Sequence, residues 1–163
     1  MSEKAISDAL KMFPYGFYAL GSRHGDEQNI MVLNWVTQAS FEPQLIAVAI
    51  QKSSFSYGLI EQSGQFVLNL FKAADQTAIE GFTKPRAKNP EKMVGAAIAA
   101  APMTGAPVLD AAAAFLECSV RQRVETGGDH DIFLAEIISG EVRKPGKADE
   151  TLNLPEVGWN YAG

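Results

Sequence analysis

A chain of 163 residues, 47% apolar and 20% charged, has the size and composition of one ordinary domain (1–163) able to bury a core, with no compositionally disordered tract. Its net charge of −5 argues against a nucleic-acid binder, which presents a basic face. The N-terminal Met-Ser-Glu-Lys-Ala lacks the apolar core of a signal peptide, the apolar run 45–50 is far shorter than the about 20 residues a bilayer needs, and the lone Cys118 fits a reducing cytoplasm.

Ile6, Leu10 and Phe13 recur at helical spacing, so 2–13 is predicted as a short helix stopped by Pro14. Residues 16–22 read as a strand, and Gly25-Asp26 marks a polar turn. The stretch 30–41 reads as one long strand, with Met31, Leu33, Trp35 and Ala39 on one face. After a turn at Pro43, 45–50 is apolar at both parities, which predicts a strand covered on both faces. A helix over 54–62 has serine at its start and Gly64 at its end. Residues 66–71 read as a strand and 73–82 as a helix. The basic, proline-bearing stretch 83–90 reads as a loop, and 91–100 as a helix. Strict alternation over 113–126 sets Leu116, Cys118, Val120 and Val124 against Glu117, Ser119, Arg121 and Arg123. Gly127-Gly128-Asp129 then turns the chain into a returning strand, 131–144. Long β-runs joined by tight turns, with short helices between, favour an antiparallel barrel over a doubly wound sheet.

Four clusters carry candidate chemistry. Lys52-Ser53-Ser54-Phe55-Ser56 opens a helix, where backbone N–H groups, hydroxyls and an ammonium together suit an anion. An N-cap beside a solvated lysine is the plainer alternative. Trp35-Val36-Thr37-Gln38-Ala39-Ser40 can offer a flat apolar wall and hydrogen bonds to the edge of a planar ring, or can be merely an amphipathic strand. His130 sits between Asp129 and Asp131 where a turn meets a strand, a setting for a hydrogen-bonding or proton-handling histidine or for an ordinary turn residue. With two histidines and one cysteine in the chain, no metal site is expected. Near the C-terminus, Trp159 and Tyr161 are large aromatics that need a surface to cover. Cys118, in an alternating strand, is expected to be core. There is no G-x-G-x-x-G, Walker loop or G-x-S-x-G, which disfavours Rossmann and α/β-hydrolase chemistry.

Taken in order, Phe13-Pro14-Tyr15-Gly16, residues 29–43, residues 51–56, Phe66-Val-Leu-Asn-Leu70 and Gly128-Asp129-His130 resemble the flavin reductase-like family over most of the chain. Within that family the chain is similar to flavoredoxin-like carriers and to the reductase modules of diiron flavoproteins. The resemblance implies a mainly β fold with short helices, an antiparallel split β-barrel of the FMN-binding type, and a homodimer with non-covalent FMN near the interface. It implies that Thr37, Gln38 and Ser40 line the isoalloxazine, partly through backbone groups, with Trp35, Val36 and Phe55 around the ring. It places Gln51, Lys52, Ser53, Ser54 and Ser56 at the phosphate, His130 near the nicotinamide, and Trp159 and Tyr161 over the flavin. The chain departs from the family pattern at Pro43-Gln44, commonly Pro-Pro, and at Met31-Val32, often Met-Thr. The implied activity is hydride transfer from NAD(P)H to flavin, with electrons passing on to a redox protein or monooxygenase partner. The alternative is a non-catalytic FMN electron carrier.

Overall fold

In the computed structural model, which describes residues 2–154, every strand pairing is antiparallel. The chain runs through α1 (Glu3–Leu10), β1 (Tyr18–His24), β2 (Glu27–Leu33), β3 (Val36–Ser40), β4 (Leu45–Gln51), α2 (Phe55–Ser63), β5 (Gln65–Leu70), α3 (Thr77–Glu80), β6 (Ile98–Ala100), β7 (Pro107–Leu109), β8 (Ala114–Val124) and β9 (His130–Val142). Seven strands form one sheet in the order β2-β1-β5-β8-β9-β4-β3, and β6-β7 form a separate hairpin.

The two outermost strands of that sheet are consecutive in the chain. Only Asn34 and Trp35 link β2 to β3, a span of at most about 11 Å between Leu33 and Val36. The sheet must therefore roll until its edges meet, yet no ladder joins β2 to β3. The result is an antiparallel barrel split at that seam, as expected. Its interior is filled by Leu20, Leu33, Ile46, Val48, Ile50, Phe66, Leu68, Cys118 and Phe133 from six strands, capped by Ile60 of α2. A second core lies outside the sheet, where Phe17, Val67, Phe71, Ile79, Val108 and Phe115 pack together. The β6-β7 hairpin closes it. Gly21 lets that hairpin approach, because a Cβ there would sit 2.0 Å from the Pro107 carbonyl oxygen.

Three predicted elements are corrected. The run 30–41 is not one strand. Asn34 and Trp35 break it, Val36 N–H bonds back to the Asn34 carbonyl at 3.2 Å, and the two halves take different partners. The predicted helix 91–100 is a series of turns followed by β6. Gly95 at φ 70° is left-handed and interrupts any helix there. The predicted helix 73–82 shrinks to a single turn of 3-10 helix and α3. The helix over 54–62 is found as α2, with Ser54 as N-cap accepting from Tyr57 N–H at 3.2 Å and Gly64 left-handed at its C-cap. Strand β8 is found where the alternation placed it, with Arg121 and Arg123 exposed as read, but Glu117 on the same side is covered. Glu117 is 0% exposed and its Oε2 accepts from the Met103 and Thr104 amides and the Thr104 hydroxyl.

Candidate functional site

The split in the barrel creates the site. Strand β4 buries Ile46, Val48 and Ile50 in the barrel and turns Ala47, Ala49 and Gln51 outward. The small alanines leave room above them. Two adjoining cavities occupy that room and share Asn34, Trp35 and Ala49 as walls. The first, about 340 Å³, is lined on its apolar side by Phe17, Met31, Leu33 and Leu154, and on its polar side by Gln51, Thr83 and His130. The second, about 270 Å³, has Tyr15, Val36, Thr37, Ala47 and Ile132 in its wall. Both are of the order of ligand pockets, roughly 300–1,000 Å³.

Register brings the catalytic candidate to the phosphate candidate. Gln51 lies directly opposite His130 across β4 and β9, and Lys52 N–H bonds to the Asp129 carbonyl at 2.9 Å. The His130 ring is 4.8 Å from the Trp35 ring. Its Nδ1 lies 2.8 Å from Asp129 Oδ1. The hydrogen bond to His130 is the main cause holding the Asp129 carboxyl below its usual range, so this carboxylate accepts and Nδ1 donates. Nε2 is the ring nitrogen that does not take part in this contact. Of the two carboxylates flanking the histidine, only Asp129 touches it. Asp131 turns the other way, to the Tyr57 hydroxyl at 2.7 Å, the Thr126 amide at 3.2 Å and Lys52 Nζ at 3.3 Å.

The candidate anion-binding residues at the start of α2 are placed differently from one another, and Lys52, Ser53 and Ser54 line neither cavity. Lys52 and Ser53 are exposed and Ser54 caps the helix. Ser56 is different: it is fully buried, and its hydroxyl accepts from Asn29 Nδ2 at 2.9 Å, so it anchors α2 to β2 rather than facing a ligand. Phe55 carries the Arg86 guanidinium 4.3 Å above its ring, and Arg86 also donates to the Gln28 carbonyl at 2.8 Å. The loop 83–90 thus brings a second cation beside the start of α2. On β3, Thr37 lines the second cavity, whereas the exposed Gln38 and half-buried Ser40 do not line either. A bulge at Ala39 shifts the register there. Val32, where the family often has threonine, is in the wall of the first cavity. Trp159 and Tyr161 lie outside the described residues.

Sequence reasoning missed Asn34. It is 8% exposed, lines both cavities, and its Nδ2 has no hydrogen-bond partner among the described residues. A buried, unpartnered amide costs about 1–3 kcal/mol, so Asn34, which alone of the buried unpartnered groups among the described residues lines these cavities, is a candidate donor to a ligand. Among the described residues no group of His, Cys, Asp and Glu could hold a metal ion, and no helix is long and apolar enough to cross a membrane.

The fold is a split antiparallel barrel with a largely apolar slot, an unpartnered donor inside it, and Gln51 in its wall leading to the start of α2. The chain belongs to the flavin reductase like domain family, which it matches over residues 10–155. It is 32% identical over 140 residues to diflavin flavoprotein A 1 of Synechocystis, covering 85% of this chain but 24% of that protein. The chain thus spans about a quarter of the length of such relatives. The Streptomyces globisporus NADH:FAD oxidoreductase SgcE6 superposes with a TM-score of 0.72 at 25% identity, covering 82% of this chain and 74% of that one. Nitrilotriacetate monooxygenase component B of Mycobacterium thermoresistibile shares the fold with a TM-score of 0.78 at 22% identity, over 94% and 88%.

Proposed function

We propose that this protein is an NAD(P)H-dependent flavin reductase that uses FMN. The observation that carries the reading is one cavity walled by the unpartnered Asn34 amide, by His130 against Trp35, and by Gln51, the residue that precedes Lys52 and the start of α2. When bound, FMN supplies a two-electron acceptor for the hydride of the nicotinamide. The chain's own residues bind and orient. Ala47 and Ala49 leave a flat floor, and Trp35 and Val36 wall the ring and exclude water. Asn34 donates from its Nδ2, and Thr37 and the free edge of β3, with Gln38 and Ser40, offer hydrogen bonds to the ring edge. Gln51, Lys52, Ser53 and Ser54, joined by Arg86, hold the phosphate through charge and the first-turn amides. His130, fixed by Asp129, orients the nicotinamide carboxamide.

The same reading extends to a homodimer with the flavin near its interface. Ile6, Leu10, Met12 and Phe13 of the N-terminal segment are exposed apolar residues that a second copy would cover, which supports it. It extends also to a redox protein or monooxygenase that takes the electrons, and to a cytoplasmic setting, consistent with one buried thiol.

The test is anaerobic absorbance of FMN-loaded protein after NADH and then NADPH. Rapid bleaching of the oxidised-flavin band is expected with at least one donor. Bound flavin that neither donor bleaches would overturn the reductase reading and leave an electron carrier.

A further inference from the structure

Lys52 lies two residues before Ser54, the N-cap of α2, yet it already has an anion. Its Nζ lies 3.3 Å from Asp131 Oδ1, with the Lys52 side chain 40% exposed and that of Asp131 2% exposed. Asp131 is held in place by two other groups. Its Oδ2 accepts from the Tyr57 hydroxyl at 2.7 Å and its Oδ1 from the Thr126 amide at 3.2 Å. The Tyr57 hydroxyl in turn accepts from Arg123 at 3.2 Å. Burial works to raise the Asp131 pKa, but the hydrogen bonds from Tyr57 and Thr126 and the Lys52 ammonium outweigh it and hold the carboxyl below its usual range. A fixed, buried anion therefore stands behind a half-exposed cation.

We propose that Asp131 is an internal counter-ion that competes with the ligand's phosphate for Lys52 and keeps FMN exchangeable, so that the flavin turns over as a substrate instead of staying as a tightly held cofactor. This rests on the flavin reading above. Two effects act in the same direction. An incoming phosphate meets an ammonium whose charge is already matched, so the net gain from Lys52 is small. It also meets the field of a buried carboxylate, which salt screens poorly. The first-turn amides of α2 and Arg86 are left to supply most of the phosphate affinity. Residue 131 is thus a positioning residue: it acts on the ligand only through Lys52 and through its charge.

The experiment compares FMN with riboflavin, which has the same ring and no phosphate. Dissociation constants are measured by flavin fluorescence for the full chain and for Asp131→Asn and Asp131→Ser. Both variants remove the charge, and Asp131→Asn keeps an acceptor for the Thr126 amide. Expected is FMN binding about fivefold to tenfold tighter, with riboflavin unchanged within about twofold. A merely structural role for Asp131 would weaken both ligands together. FMN affinity unchanged or weakened while riboflavin binds normally overturns the proposal. If both variants lose riboflavin too, the fold has failed, and Lys52→Gln decides. Because its charge is already matched, that change weakens FMN by less than about tenfold, whereas about a hundredfold or more would overturn the counter-ion. If the unaltered protein binds neither flavin, it is the functional reading that fails, not the role of Asp131 within it.

Discussion

At the scale of single residues, the site divides by how far each partner lies along the chain. The Ser54 cap and the position of His130 where a turn meets β9 are legible in sequence because a serine before a helix and a histidine in a turn carry their meaning locally. Ser56 misleads for the same reason: it belongs to the serine run, but helix geometry turns it inward to Asn29. Asn34 is silent, since one asparagine in an apolar run has no local signature and becomes informative only where the barrel seam opens beside it. His130 lends itself to a direct test. It is positioned by Asp129 and the Trp35 ring and lies in the wall of the first cavity. His130→Ala should slow anaerobic flavin reduction by about tenfold or more while changing FMN affinity by less than about threefold. Stopped-flow absorbance and fluorescence titration separate the two quantities. A variant that reduces flavin at the original rate with both NADH and NADPH removes His130 from the nicotinamide site.

Elements were legible where local chemistry and tertiary packing agree. The caps of α2, the β4 run and the β8-β9 hairpin are all signalled by residues within the element itself. The split of 30–41 was not, because alternation reports which face a residue takes and never which strand it pairs with. The alanine-rich 91–100 stretch failed for the opposite reason: helix propensity is a weak preference, and Gly95 with the demand of the outer core for a covering hairpin overrides it. Two glycines show how context sets the sign of one substitution. Gly21→Ala forces a methyl group against the Pro107 backbone and should destabilise by about 1–3 kcal/mol. Gly58→Ala lies inside α2 with open space around it and should stabilise by about 0.5–1 kcal/mol. Urea denaturation of the two variants checks both signs, and equal effects would mean that the hairpin does not pack on β1 as described.

At the scale of the whole molecule, the two cores on either side of one sheet leave a pH signature. Lys92 is 8% exposed and donates to the Phe82 and Lys84 carbonyls at 3.3 and 3.0 Å, beneath the loop that brings Thr83 to the first cavity. Burial, with the nearby Arg86 charge, lowers its pKa from 10.5 to about 8. Between those values the unfolded chain holds a proton that the folded one has released, so stability rises with pH from about 8. In the barrel interior Cys118 behaves oppositely: burial, then the Glu117 charge, pushes its thiol from 9.0 up to about 12. Between those values the folded chain keeps a proton the unfolded one loses, so stability falls as pH rises through that range. Tyr18, raised above 10.0 by burial, adds to the fall at the alkaline end. The two curves together predict that the urea midpoint rises from pH 8 to 9, flattens while the lysine and the thiol offset each other, and drops above about pH 10. Lys92→Met should abolish the rise and Cys118→Ala should defer the drop. A midpoint that only declines from pH 7 onward in the unaltered protein would show that Lys92 is not buried under the 83–90 loop. The same buried state makes Cys118 unreactive to thiol reagents in the folded protein, so its labelling rate should follow global unfolding at every pH tested.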